Sequence, residues 1–397
     1  MQLKPCVILA EAAVGSTVGM IRSIGSRAVP VYVLVVTDDR KLASIYRKSR
    51  YCQDALAIRG GSSADYVCEY VLEWLKKQGF AARPVLIPIT DRLCTFVAEC
   101  RDRFAEAFDI CMPQNDVLLD MLDKTRANLR AEQAGLVVPQ AGSAATLDEI
   151  EPLLQKVPCP VILKPTWWKQ RGKRYFKAQQ CHNKEQAIEL AARLIKDGAT
   201  ILVQQYIPGG DDSVEVYMFY RSRDGSTIYG CSGYKLRQIP PGAGSMAAGR
   251  AAVLPHVIKM SNEFLERIDY RGLGGIEYKR FNDNSYFIEM SVRPEGFHTL
   301  AIKAGVDLPW LAYLDMTRGL AGHEKPVQKK ASYITMEAYV CLWRNHRKQV
   351  PVLREIASVL SAGKVQFDLW SWRDPLPWLA QTTAKLKRAF AKVKRPS

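Results

Sequence analysis

Two glutamates give the first chemical lead. In the segment Gly274–Arg293 the triplet Asn282-Asp283-Asn284 is turn-forming, so its flanks read as the two strands of a hairpin. A turn centred on Asp283 sets Glu277 directly opposite Glu289. Side chains alternate along a strand. Ile276, Tyr278, Tyr286, Ile288, Met290 and Val292 then make an apolar face, and Glu277, Glu289, Ser291 and Arg293 make the other. Like charges in register destabilise a sheet, so the pair needs a cation. One or two carboxylates completed by phosphate oxygens are a usual setting for Mg2+. A solvated face relieved by Lys279 or Arg293 meets the same need without a metal.

Cations precede this hairpin. Lys164 ends the apolar run Val161-Ile-Leu-Lys-Pro165, where a lysine either snorkels to water or meets an anion. The basic loop Trp167–Arg174 holds one glycine and can cover a polyphosphate or simply be solvated. Ile201–Gln205 reads as a strand running into Pro208-Gly-Gly, followed by Asp211 and Asp212. Lys235 and Arg237, two residues apart, read as sharing one strand face. No Ser/His/Asp or Cys/His arrangement competes, and the five histidines are dispersed. The ten cysteines include no Cys-x-x-Cys and no zinc-ligand spacing, which predicts reduced thiols. Gly15-Ser-Thr after the first strand is not a phosphate loop of Walker type. It reads as a strand–helix turn or as a loop on the substrate side.

These side chains need a frame. Over residues 1–120 strands at 6–10, 31–36 and 84–89 alternate with helices, predicting a parallel α/β domain with functional loops at the strand C-termini. A helix over 123–134 ends at Gly135. From Val161 strands separated by turns predict a mostly antiparallel α+β block, with helices near 184–197 and 255–268 and a late strand over 332–339. The expected division is 1–120, 121–325 (lobes 121–203 and 204–325) and a basic, Trp-rich extension over 326–397.

Taken in order, the segments resemble the ATP-grasp superfamily, in its carboxylate–amine ligase branch, which includes D-aspartate ligase and the ATP-binding domains of carbamoyl-phosphate synthase type. The likeness covers about 1–320. It is carried by Asp123-Lys124 with Gly135-Leu-Val-Val-Pro139, by Leu163-Lys164-Pro165 and Val203-Gln-Gln-Tyr-Ile-Pro-Gly209, and by Lys235-Leu-Arg237 and Glu289-Met-Ser-Val-Arg293. The resemblance implies a pre-ATP-grasp α/β domain followed by a two-lobed ATP-grasp fold. It implies that Lys124 and Lys164 contact nucleotide phosphates, and that Gln204, Gln205 and Ile207 hold adenine at a hinge. Asp211 or Asp212 would take the ribose hydroxyls. Lys235 and Arg237 would face the γ-phosphate and the substrate carboxylate. Glu277, Glu289 and Ser291 would hold Mg2+ (Mn2+ being an alternative), and Arg293 would stabilise an acyl phosphate. Ser291 stands where the family usually has Asn, and Gln204 where the hinge often begins with an acid. The implied reaction is ATP-dependent joining of a small-molecule carboxylate to an amine, with cell-envelope or surface-polymer metabolism as its setting. The alternative is a non-catalytic relative that binds nucleotide as a regulatory module.

Composition sets the bounds. The chain has 397 residues, 48% apolar and 24% charged, which suits a globular protein of two or three domains. Its net charge of +16 favours anionic partners. Over 341–397 twelve Lys or Arg face three acids, so +9 of that charge sits in the last 57 residues, with four of the eight tryptophans. From Trp378 to Arg395 a helix would align Leu379, Leu386, Phe390 and Val393, the pattern of an interfacial helix or of one docked on its own protein. The interfacial reading puts Trp370, Trp372 and Trp378 at an anionic membrane surface. No nucleic-acid module is recognisable, so no specific nucleic-acid binding is expected. No apolar run reaches the length of a membrane span. The expectation is a cytoplasmic protein, attached from the cytoplasmic side where the tail meets lipid.

Overall fold

Runs of buried β-branched residues build the first sheet. The computed structural model describes residues 3–166, 169–170, 173–174, 176, 178–242, 244–346, 350–361 and 364–393. Strands β1 (Cys6–Ala10), β2 (Val31–Val36), β3 (Asp54–Ile58) and β4 (Val85–Pro88) are parallel, in the order β3-β2-β1-β4. Alternate residues of β1 enter two different cores, Cys6, Ile8 and Ala10 on one side, Val7 and Leu9 on the other. A sheet covered on both faces is the expected α/β arrangement. Strand β3, Asp-Ala-Leu-Ala-Ile, is an addition to the expected set; its small residues leave little apolar signal to read.

The next lobe is a four-stranded antiparallel sheet. It contains β5 (Ala141–Ala144), β6 (Val161–Pro165), β9 (Gln179–Cys181) and β10 (Ile201–Gln205), ordered β5-β10-β6-β9. A short ribbon, β7 (Lys169–Gln170) with β8 (Lys173–Arg174), follows β6. Helices Ile150–Lys156 and Lys184–Lys196 bury Leu154, Ala187, Leu190 and Leu194 against this sheet's inner face.

The third sheet has seven strands, in the order β15-β14-β11-β12-β13-β16-β17. They are β11 (Val214–Arg221), β12 (Ile228–Ile239), β13 (Ser245–Ala251), β14 (Gly272–Phe281), β15 (Asn284–Ser291), β16 (Ala331–Ile334) and β17 (Val365–Phe367). All eight residues of β11 are buried, as befits an interior strand. Two expectations change here. The strand expected over 332–339 stops at Ile334, and helix Met336–His346 begins two residues on. And β16 and β17, from the basic extension, continue the same sheet that carries Glu277 and Glu289.

The extension is also fastened to the first domain. Asp374, 2% exposed, accepts hydrogen bonds from Arg22 Nε at 2.9 Å, Ser49 Oγ at 2.8 Å and the Arg50 backbone N–H at 3.0 Å. Helix Leu376–Val393 then packs along helix Arg40–Arg47, and Trp378 joins the edge of the main core. The start of this helix is therefore docked on its own protein. The stripe residues Leu386, Phe390 and Val393 lie beyond the side chains that the structure describes, as does most of the loop Trp167–Arg174.

Candidate active site

The hairpin places its two glutamates face to face by an unforeseen route. Its turn is Asn282-Asp283, with Phe281 paired to Asn284. A bulge at Ile288 then restores the register, so that Ile276 pairs with Met290, Glu277 with Glu289 and Gly275 with Ser291. The bulge re-aims the side chains before it. Phe287, expected on the polar side, is fully buried between Tyr278 and Phe264, while Tyr286 and Ile288, expected in the apolar face, are only half-buried.

Lys235 compensates the pair. From β12 its Nζ reaches across β11 to Glu277 Oε2, 2.6 Å away, and also donates to Gln238 Oε1 at 3.1 Å and the Gly244 carbonyl at 3.2 Å. It is 1% exposed. The expected pairing of Lys235 and Arg237 on one face is corrected by an irregularity of β12 on either side of Arg237. Lys235 and Gln238 share the inner face instead. Arg237 forms ion pairs with Asp211 at 3.2 Å and with Glu355 of the extension.

Opposite this face stands Lys164, at the end of β6. It is 8% exposed and has no hydrogen-bond or ion-pair partner among the described residues. Burial pushes its ammonium down to about 8; Glu289 and Glu277 oppose that shift and Lys124 adds to it. Asp123 caps the helix Lys124–Gln133, accepting from the Thr125 and Arg126 backbone N–H groups. Lys124, its first residue, donates to the carbonyls of Pro165 at 3.0 Å and Thr166 at 3.2 Å, beside Lys164.

The hinge follows β10. Gln204 is 2% exposed and its amide Nε2 is buried without a partner among the described residues. Gln205 is pinned to Gln140 through its backbone, N–H to carbonyl at 2.7 Å, and Ile207 is buried. Lys279 anchors the turn that follows, donating to the carbonyls of Gly209 at 2.9 Å and Gly210 at 2.6 Å. Asp211 is no free ribose ligand. Its carboxylate takes donors from Arg237, from the backbone N–H and side chain of Gln238, and from the Gly242 N–H. The exposed carboxylate is its neighbour, Asp212.

Arg293 closes the far end. Its Nε donates to Asp91 Oδ1 at 2.7 Å, at the C-terminal end of β4, so the first domain's strand ends do meet the carboxylate hairpin. Burial opposes the guanidinium's charge, but Asp91 and Glu295 outweigh it and raise its pKa. Glu295, missed in the sequence, belongs to the same group: a Cβ at Gly275 would lie 3.1 Å from its Oε2. Burial pushes Glu295 up to about 7, Arg293 opposes, and Glu277 and Glu289 add to the shift. Its one signal was position, two residues beyond Arg293. Asp91 and Glu355 carried none, because their partners lie 202 and 118 residues away.

No protein-family model matches this chain, and no curated protein does. Solved structures do. The biotin carboxylase of Campylobacter jejuni in complex with an ATP analogue superposes with a TM-score of 0.62 at 17% identity, covering 81% of this chain and 73% of its own. An ADP complex of N5-carboxyaminoimidazole ribonucleotide synthetase gives 0.62 at 13% identity over 100% and 99% of the two chains. The L-amino acid ligase of Bacillus licheniformis gives 0.60 at 13% identity over 82% and 76%. The chain has the ATP-grasp fold.

Two observations at this site fit a bound nucleotide. Lys164 is a buried ammonium with no hydrogen bond or ion pair among the described residues, and the charges of Glu289 and Glu277 offset only part of its burial cost, which a further anion would relieve. Gln204 carries an orphaned donor at the hinge. The oxygen set of Glu277, Glu289 and Ser291 suits a hard divalent cation. Among the described residues no three His, Cys, Asp or Glu side chains form a self-sufficient metal site. Phosphate oxygens would have to complete the shell.

Proposed function

We propose that this chain is an ATP- and Mg2+-dependent ligase that activates a carboxylate as an acyl phosphate and joins it to an amine. The carrying observation is Lys164, buried opposite the Glu277–Glu289 pair with no hydrogen bond or ion pair among the described residues. Lys124 and Lys164 bind nucleotide phosphates, and the Gln204 amide with the backbone of Gln205 to Ile207 holds adenine. Asp212 takes the ribose, while Asp211 fixes the loop. Glu277, Glu289 and Ser291 hold Mg2+, or Mn2+, which neutralises charge on the phosphates. Phosphoryl transfer needs alignment and neutralisation more than covalent help. Lys235 keeps Glu277 in place and Arg293 faces the developing acyl phosphate. Arg237, expected at the γ-phosphate, instead fastens the hinge loop to the extension.

The finer setting belongs to the same proposal. Substrates from cell-envelope or surface-polymer metabolism are supported by the motif likeness to D-aspartate ligase. A cytoplasmic protein lying peripherally on anionic membrane is supported by the tail's charge, and no helix among the described residues is long and apolar enough to span a bilayer. The test is a hydroxylamine trap. Mg-ATP is supplied with amino acids, uronic acids and other carboxylates in turn, with amino sugars as further amine acceptors. A hydroxamate formed together with ADP and phosphate supports the ligase. ATP binding without either product across the panel would support the non-catalytic module, in which Ser291 has weakened the metal site.

A further inference from the structure

Three tryptophans form a ladder from core to solvent. Trp378 packs at the edge of the main core, Trp370 meets it edge to face with ring centroids 4.9 Å apart, and Trp372 meets Trp370 at 5.0 Å. Trp372 is nonetheless 85% exposed, the most exposed large apolar side chain among those described. Beside it Leu376 is 51% and Leu379 44% exposed. An indole held by its neighbours yet left in water is not explained by the core.

Its surroundings are basic, and the charge comes from a distant part of the sequence. The Asp374 clamp brings the end of helix Arg40–Arg47 against this segment: Arg50 donates its N–H to Asp374 at 3.0 Å and Ser49 its hydroxyl at 2.8 Å. Lys48, Arg50 and Arg373 thus flank the Asp374 clamp, two residues from Trp372, and all three are exposed. None of the three forms an ion pair with a described acid.

We infer that Trp372, Leu376 and Leu379, with Lys48, Arg50 and Arg373 around them, form a rigid docking face for an anionic lipid bilayer. The inference deepens the membrane reading of the tail and names a folded surface that the tail's sequence does not contain. An indole belongs at the headgroup level of a bilayer, with cations snorkelling towards lipid phosphates. A face already ordered by the Trp370 contact and the Asp374 clamp loses little entropy on docking. A nucleic acid would use the same charges but has no need of Leu376 and Leu379.

The test is co-sedimentation of the full chain with vesicles of phosphatidylglycerol and phosphatidylcholine, or of phosphatidylcholine alone. Three full-length variants are compared: Trp372→Ser, Lys48→Glu with Arg50→Glu, and a tail variant with Lys387, Arg388, Lys392, Lys394 and Arg395 changed to Gln. Each basic residue near an anionic surface contributes about fivefold in affinity, so the double reversal lowers partitioning at least about 25-fold. Trp372→Ser lowers it too, while all variants keep the parent's thermal melt. Loss in the tail variant alone would overturn the docking face and leave the tail as the anchor. Absence of pelleting by the parent protein would overturn both readings. Equal retention on DNA with Trp372→Ser unaffected would replace lipid by nucleic acid.

Discussion

Lys235 Nζ lies 2.6 Å from Glu277 Oε2, and this buried pair allows Glu277 to sit directly opposite Glu289. A Lys235→Met variant removes the 2.6 Å cationic partner of Glu277. Breaking a buried pair from one side costs about 3–5 kcal/mol, so urea unfolding should shift by that amount. Millimolar Mg2+ should recover part of the loss in this variant and little in the parent. Lys235→Met combined with Glu277→Gln should be milder than Lys235→Met alone, because the stranded charge is gone.

Lys164 gives the pH dependence. Its folded-state value of about 8 lies below the ordinary 10.5 because of burial. Between those values the unfolded chain binds the extra proton, so the site's contribution to stability rises with pH across that window. Below pH 8 the cost of burying the ammonium is present in full. Nucleotide binding has the opposite trend: phosphate needs the ammonium, so ATP affinity should fall as pH rises through about 8. Lys164→Met should bind weakly with no inflection there. Calorimetry in two buffers of different ionisation enthalpy should show proton uptake on binding near pH 8 by the parent protein only.

The bulge at Ile288 predicts a contrast between neighbours. Phe287 is fully buried, so Phe287→Ala should cost about 3–5 kcal/mol. Ile288→Ala, at a half-buried position, should cost about 1 kcal/mol. Simple alternation through the hairpin requires the reverse order, and thermal or urea melts distinguish the two.

Much of this architecture is legible in the chain, and the exceptions share a physical cause. The β1, β2 and β6 runs announce themselves because their apolar residues are consecutive. The Glu277–Glu289 register is also legible, although two displacements produce it: a shorter turn and a compensating bulge. Simple alternation misses the bulge here, because the shorter turn and the extra residue cancel and leave the pairing beyond it where alternation puts it. Strands β3 and β13 are rich in alanine and glycine and owe their state to neighbouring strands. The reversal of Arg237 depends on Glu355, a contact 118 residues away that no local pattern encodes.

The Asp374 clamp should behave as a single fastening. Asp374→Ala removes the carboxylate partner of Arg22, which keeps only its bond to the residue 374 carbonyl, and frees two further donors, at a cost of about 3 kcal/mol. Limited proteolysis should then cut the variant after Lys364 or Arg373 faster than the parent, with fragments rising early on a gel. An unchanged digestion pattern would mean that the sheet contacts of β16 and β17 hold the extension without it.

The central claim is that nucleotide sits between Lys164 and the paired glutamates with a divalent cation. Calorimetric titration of ATP with and without Mg2+ tests it, using the parent chain, Lys164→Met and Glu289→Gln. The account predicts Mg2+-enhanced binding by the parent, weak binding at either Mg2+ level by Lys164→Met, and loss of the Mg2+ enhancement in Glu289→Gln with the fold intact by circular dichroism. ATP binding that is unchanged in both variants, or indifferent to Mg2+ in the parent, would contradict it.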